Sequence, residues 1–194
     1  TSVSHFGFIS LGIFAFTTQG QSGAALYMVN HGFSTAALFL IAGFLISRRG
    51  SRFIDDFGGV SKVAPLMAGS FFIAGLSSLA LPGLSSFVSE FLVLTGTFTR
   101  YPIPAVIATL GIILAALYIL IMVQRTMTGV PSKDVEKTIT EINFREKMAI
   151  APVLAIIVLL GFIPQVVLNV INPSVDRIMI EMNIEDPTPS EAGE

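Results

Sequence analysis

The chain has 194 residues, of which 53% are hydrophobic and only 12% charged, and its formal net charge is −2. Soluble domains carry about 25% charged residues, so this composition excludes an ordinary soluble domain, and the charge balance excludes a strongly basic nucleic-acid binder. There is no cysteine, which rules out disulfides, iron–sulfur clusters and cysteine-bound zinc in this chain.

Mean hydropathy is +0.79, and several apolar runs exceed the roughly 18 residues that suggest a membrane span. The sequence predicts an all-α polytopic membrane protein with about five transmembrane helices. The chain opens Thr1-Ser2-Val3-Ser4-His5 and is apolar almost at once. It reads as starting part-way along a helix, and a fragment of a larger protein is expected. The first span, Val3 to Phe16, is short and ends at the polar turn Thr17 to Gly23. The second runs from Ala24 to Ser47 and contains Tyr27 and His31.

After the polar loop from Arg48 to Lys62, the third apolar region extends from Val63 to Phe98. One straight helix of that length would measure about 54 Å, against a hydrocarbon core of about 30 Å. Pro82-Gly83 is the expected break, because Pro removes a helix donor and Gly weakens the helix further. The fourth span is Ile103 to Gln124. A charged segment to Lys147 precedes the fifth, Met148 to Val170, with Pro152 in its first turns and Pro164 as a kink near its far end. Residues 1–172 are thus read as the membrane domain. Residues 173–194 are read as a short amphipathic helix, Pro173 to Met182, and an acidic tail, disordered from Ile184 onward.

Lys and Arg concentrate in the segments 48–62 and 125–147; only Arg100 and Arg177 fall elsewhere. Counting the broken third region as one crossing places both basic segments on one side, which the positive-inside rule assigns to the cytoplasm. The first span then runs outward, and the tail lies on the outer side.

Glu90 is the sole Asp, Glu, Lys, Arg, His or Tyr between Val63 and Thr99. A charge at the bilayer centre costs about 2.5–3.5 kcal/mol on insertion scales, and low dielectric disfavours the ionised form of an acid. An acid kept there can exchange a proton. The bland alternative is a carboxylate that only fixes helix packing. Ser86 at i−4 and Thr97 at i+7 make the Glu90 face polar. A discontinuous helix such as the one at Pro82-Gly83 frees backbone groups and builds ion sites in transporters, although many proline kinks carry no further role. His31, with Ser34 and Thr35 on the same face, can pass a proton in either direction near neutral pH. His5 offers the same chemistry at the start of the first span. These histidines and Glu90 lie on separate helices without metal-motif spacing, so no metal is expected. The glycines Gly7, Gly12, Gly43, Gly69, Gly75 and Gly111 are read as close helix packing.

Five motifs carry a family resemblance: Ser2-Val3-Ser4-His5-Phe6-Gly7, Asn30-His31-Gly32-Phe33-Ser34-Thr35-Ala36-Ala37-Leu38-Phe39, Gly58-Gly59, Leu81-Pro82-Gly83 and Phe87-Val88-Ser89-Glu90-Phe91. In that order and spacing the chain resembles the antiporter-like subunits of respiratory complex I. The match covers nearly the whole chain and is specific to about residue 100; after about Asn172 no motif is recognisable. Members have fourteen helices, and this chain resembles the last five. The resemblance implies that His5 and His31 belong to a central hydrophilic axis, and that Glu90 ends the proton path on the outer half of a broken helix. Two of the three paralogues, and the related cation/proton antiporters, usually carry Lys where Glu90 stands; Glu is similar to the third. It also implies proton translocation coupled to NADH:quinone electron transfer, with no cofactor in this chain. Flavin, iron–sulfur clusters and quinone would belong to other subunits. The implied partners are other membrane-arm subunits, including the paralogues, and the lipid bilayer of a bacterial inner membrane, with no nucleic acid. The family's Glu on helix five and Lys on helices seven and eight have no counterpart here, and Asn30 stands at a position that varies. Two other readings are a subunit of a multi-subunit Na⁺/H⁺ antiporter, and a structural subunit in which His5, His31 and Glu90 only satisfy one another.

Overall fold

A computed structural model describes residues 1–187; the last part of the expected acidic tail, 188–194, lies outside the described residues. Among the described residues there are nine α-helices: α1 (Ser2–Phe14), α2 (Thr18–Arg49), α3 (Val60–Val63), α4 (Pro65–Ser78), α5 (Ser85–Arg100), α6 (Pro102–Met127), α7 (Lys133–Thr138), α8 (Phe144–Phe162) and α9 (Gln165–Glu181). At 32 residues, α2 is about 48 Å long, and α1, α4, α5, α8 and α9 all pack along it.

The second helix starts six residues earlier than the sequence suggests. The Thr17 side chain accepts from the Gly20 amide at 3.0 Å, an N-cap that closes the first turn. The same hydroxyl donates to the Gly96 carbonyl of α5 at 3.0 Å. Gly20 and Gly23 then sit inside a helix, where each costs about 1 kcal/mol relative to Ala. Close approach offsets that cost: a Cβ at 23 would meet Leu92 and Val93 at 2.7–2.8 Å. Of the six glycines read as packing contacts, Gly12, Gly75 and Gly111 meet neighbours, whereas Gly7, Gly43 and Gly69 face open space.

The third apolar region is discontinuous, as expected, and the break has a defined chemistry. α4 ends in a 6→1 closure, Leu81 N–H to Leu76 C=O, with Ala80 left-handed at φ 55. Leu81 to Leu84 then form a turn closed by Leu84 N–H to Leu81 C=O, with Pro82 and Gly83 (φ 91) at its centre. Pro followed by a positive-φ Gly is the requirement of a type II turn. The helix therefore stops at Leu79-Ala80, and Pro82-Gly83 re-aims the chain.

Contacts along α2 show that α4 and α5 follow each other along it in two pieces. Ser77 of α4 meets Ser34, Ser85 meets Asn30, and Thr17 reaches Gly96. The N-terminus of α4 lies at the basic end, where the Glu141 carboxylate accepts from the Leu66 and Met67 amides at 2.8 and 3.0 Å. Helix N-termini favour such an anion. Arg48 and Glu146 form a two-pronged ion pair at 2.6 and 2.8 Å. The Gly59 amide donates to the Thr128 carbonyl. The segments 48–62 and 125–147 thus converge on one end. Thr18, Arg100, Glu185 and Asp186 meet at the other.

The fifth region departs from expectation. Its helix starts earlier, at Phe144, through an Asn143–Glu146 capping box. It ends at Phe162 rather than Val170, because Pro164 lacks the amide to continue it. The chain bends by 68° into α9, which begins at Gln165, so Pro173 lies inside that helix rather than opening it. α2 and α6 are each long and apolar enough to cross a membrane, and the bent α8–α9 pair is a third candidate; α1 and α4 are shorter apolar helices. α6 exposes Ile103, Ile107, Leu114 and Leu117, a surface suited to lipid. One apolar cluster joins α4, α6, α8 and the Ala37–Leu45 stretch of α2; a second joins α1, α5 and Ala24 and Tyr27 of α2. Between them lies a buried polar layer of Asn30, His31, Ser34, Ser77, Ser85, Ser86 and Ser89.

Candidate functional site

The apolar spacing of α1 buries His5, Phe8, Ile9 and Gly12 on one helix face. That face rests on α2, which turns Tyr27 and His31, one turn apart, toward it. α5 presents Glu90 from the other side. The side chains meet in a line: His5 Nδ1 lies 2.8 Å from the Tyr27 hydroxyl, which lies 3.5 Å from Glu90 Oε2. The His5 and His31 rings are 4.9 Å apart, and the Thr35 hydroxyl lies 3.2 Å from His31 Nδ1. His5, Tyr27, His31 and Glu90 are 4%, 1%, 8% and 6% exposed. A cavity of about 150 Å³ reaches Glu90 between Ala80, Phe87, Phe91, Leu94 and Ile112.

All three titratable residues singled out in the sequence converge. The link between them, Tyr27, was not assigned a role there. Its signal was its place four residues before His31, which puts both on one helix face. Ser86 is buried and makes no hydrogen bond to Glu90; it faces Ser34 at 3.4 Å in the serine cluster under the break. Thr97 bonds back to the Val93 carbonyl of its own helix. Pro82 lies on the exposed side of the break and Gly83 against α8.

The line has two hydrogen-bonding arrangements. In one, His5 is an imidazolium that keeps its Nε2–H throughout; its Nδ1–H donates to the Tyr27 oxygen and the Tyr27 hydroxyl donates to a Glu90 carboxylate. In the other, protonated Glu90 donates to Tyr27, whose hydroxyl donates to the bare Nδ1. Passing from the first to the second moves one proton from His5 to Glu90, with Tyr27 neutral before and after. The 3.5 Å separation exceeds the roughly 2.5–3.0 Å of an ordinary O–H···O bond, so transfer requires that gap to close or a water to bridge it.

The family described as "NADH:quinone oxidoreductase/Mrp antiporter, TM" matches residues 1–122. The chain belongs to this family. Within the antiporter family the chain is 53% identical over 192 residues to NADH-quinone oxidoreductase subunit M of Mycobacterium tuberculosis, covering 99% of this chain and 34% of that protein. It is 39% identical over 181 residues to subunit M of Rickettsia prowazekii, covering 93% and 37%. The chain thus spans about a third of the length of the curated relatives it matches, which agrees with a resemblance to the last five of fourteen helices. Subunit M is the paralogue that Glu, rather than Lys, at position 90 resembles. Among solved structures, a chain of respiratory complex I from Thermus thermophilus with bound NADH superposes with TM-score 0.83 at 29% identity, covering 90% of this chain and 37% of that one. A chain of the Mrp complex from Dietzia sp. DQ12-45-1b shares the fold, with TM-score 0.82 at 21% identity, covering 91% and 41%.

Proposed function

We propose that this chain is the proton-releasing part of an antiporter-like subunit in the membrane arm of a bacterial NADH:quinone oxidoreductase. It would act as a multi-pass inner-membrane protein beside the paralogous antiporter-like subunits. Electron transfer through flavin, iron–sulfur clusters and quinone belongs to other subunits, and this chain does no redox chemistry. The basic end faces the cytoplasm. A proton arriving along the axis reaches His31 and His5, passes through the Tyr27 hydroxyl, and rests on Glu90 before release to the outer side. The break at Pro82-Gly83 gates the step, because it joins α5, which carries Glu90, to α4 through a loop rather than a rigid helix.

The observation that carries this reading is the buried His5–Tyr27–Glu90 line across three helices, with His31 against His5. Replacing His5 and His31 with Ala, one at a time in the assembled complex, should lower the protons moved per NADH oxidised. Normal coupling in both variants would favour the structural alternative. The Na⁺/H⁺ antiporter reading is weaker, because the related antiporters usually carry Lys at the position of Glu90. Co-purification with iron–sulfur and flavin subunits separates the two.

A further inference from the structure

We infer that Asn30 is a positioning residue for Glu90: its amide clamps the first turn of α5 onto α2 and so sets the gap between Glu90 and Tyr27. This inference rests on the role proposed for Glu90.

Asn30 is fully buried. Its Nδ2 donates to the Ser85 carbonyl at 2.6 Å and to the Ser89 hydroxyl at 3.1 Å. Ser85 is the first residue of α5 after the break, and Ser89 is the neighbour of Glu90. α5 has no side-chain N-cap of its own, since Leu84 occupies that position. Its first turn is therefore tied from outside, by a residue on the helix that also carries Tyr27 and His31. Tyr27 and Asn30 are separated by less than one helical turn, so the clamp and the acceptor of the relay move as one body. The other polar ties to the first turn of α5 are serine hydroxyl contacts of 3.3–3.4 Å, Ser34–Ser86 and Ser77–Ser85.

The clamp is held at a cost. Among the described residues Asn30 Oδ1 is buried with no protein partner, and an acceptor that protein leaves unsatisfied costs up to about 1–3 kcal/mol. An apolar side chain at this position would avoid that cost. Only a side chain with two donors on one atom reaches both Ser85 and Ser89, and a departure from local optimisation of this kind is expected where function requires it.

The test uses the whole complex with Asn30→Leu, which keeps the shape and removes both donors, and Ser89→Ala, which removes one acceptor. The readouts are protons moved per NADH oxidised and the infrared carbonyl band of the Glu90 carboxylic acid, assigned by its loss in Glu90→Gln. Asn30→Leu should shift that band and lower the protons moved per NADH by most of the amount lost in Glu90→Gln, since it removes both hydrogen bonds of the clamp. Ser89→Ala should shift it less and lower the ratio by a smaller part of that loss. Wild-type coupling with an unshifted band in Asn30→Leu overturns the inference. Where Asn30→Leu does not assemble, an unshifted band in Ser89→Ala does so. Wild-type coupling in Glu90→Gln removes the role of Glu90 instead, while the band shift in Asn30→Leu still reports the clamp.

Discussion

Gly161 of α8 packs directly on the backbone of Gly83, so the two breaks of the molecule touch. A methyl group at 161 would clash with the Gly83 carbonyl and lie 2.7 Å from the Leu84 Cα. Gly83 also needs its own freedom, at φ 91. Pro164, three residues beyond Gly161, ends α8 near the point where Pro82-Gly83 redirects the third apolar region.

Gly161→Ala should therefore destabilise the subunit by about 1–3 kcal/mol, as over-packing does. Gly69→Ala is the control, because a methyl group there meets open space and gains about 0.5–1 kcal/mol of helix preference. Thermal unfolding of the purified complex should show a lower midpoint for Gly161→Ala and an equal or higher one for Gly69→Ala. Equal midpoints for Gly161→Ala and the wild type would refute the contact.

Tyr27→Phe keeps the ring between Phe8 and His5 but removes the hydroxyl that joins His5 to Glu90. Proton transfer through this subunit should slow about tenfold or more, within the range for losing a positioned proton-transfer group, so that coupled pumping falls by up to the share this subunit contributes while the assembled complex remains. Pumping measured by a pH-sensitive dye in vesicles checks this. Unchanged pumping would mean that protons reach Glu90 by a route without Tyr27.

Much of this arrangement is legible in the sequence, and the rest is hidden for definite reasons. Glu90, His31 and His5 stand out because charge is rare in an apolar chain. That the third region must break follows from its length, and Pro82-Gly83 marks the place. Tyr27 does not stand out, because a tyrosine in an apolar helix is ordinary until its partners are known. Asn30 acquires meaning only when Ser85 and Ser89, over fifty residues away, arrive beside it. The start of α2 at Thr18 was masked by Gly20 and Gly23, which read as turn residues but serve close helix packing. Pro164 both ends α8 early and makes the expected kink, a 68° bend into α9.

The Arg48–Glu146 pair ties the end of α2 to the start of α8, and its side chains are only 12% and 16% exposed. Exposed ion pairs contribute about 0.2–1 kcal/mol, whereas breaking a buried one costs about 3–5 kcal/mol. A double-mutant cycle with Arg48→Ala and Glu146→Ala should give an intermediate coupling energy of about 1–3 kcal/mol. Arg48→Lys should recover only part of it, because Lys lacks the fork that engages both carboxylate oxygens. A coupling energy near zero would make the contact a surface decoration.

The most direct measurement is the number of protons moved per NADH oxidised in assembled complex carrying Glu90→Gln, which keeps size and hydrogen bonding but cannot release a proton. The proposed role of Glu90 predicts that this ratio falls by the share this subunit contributes while the full set of subunits remains assembled. A wild-type ratio in Glu90→Gln would contradict it.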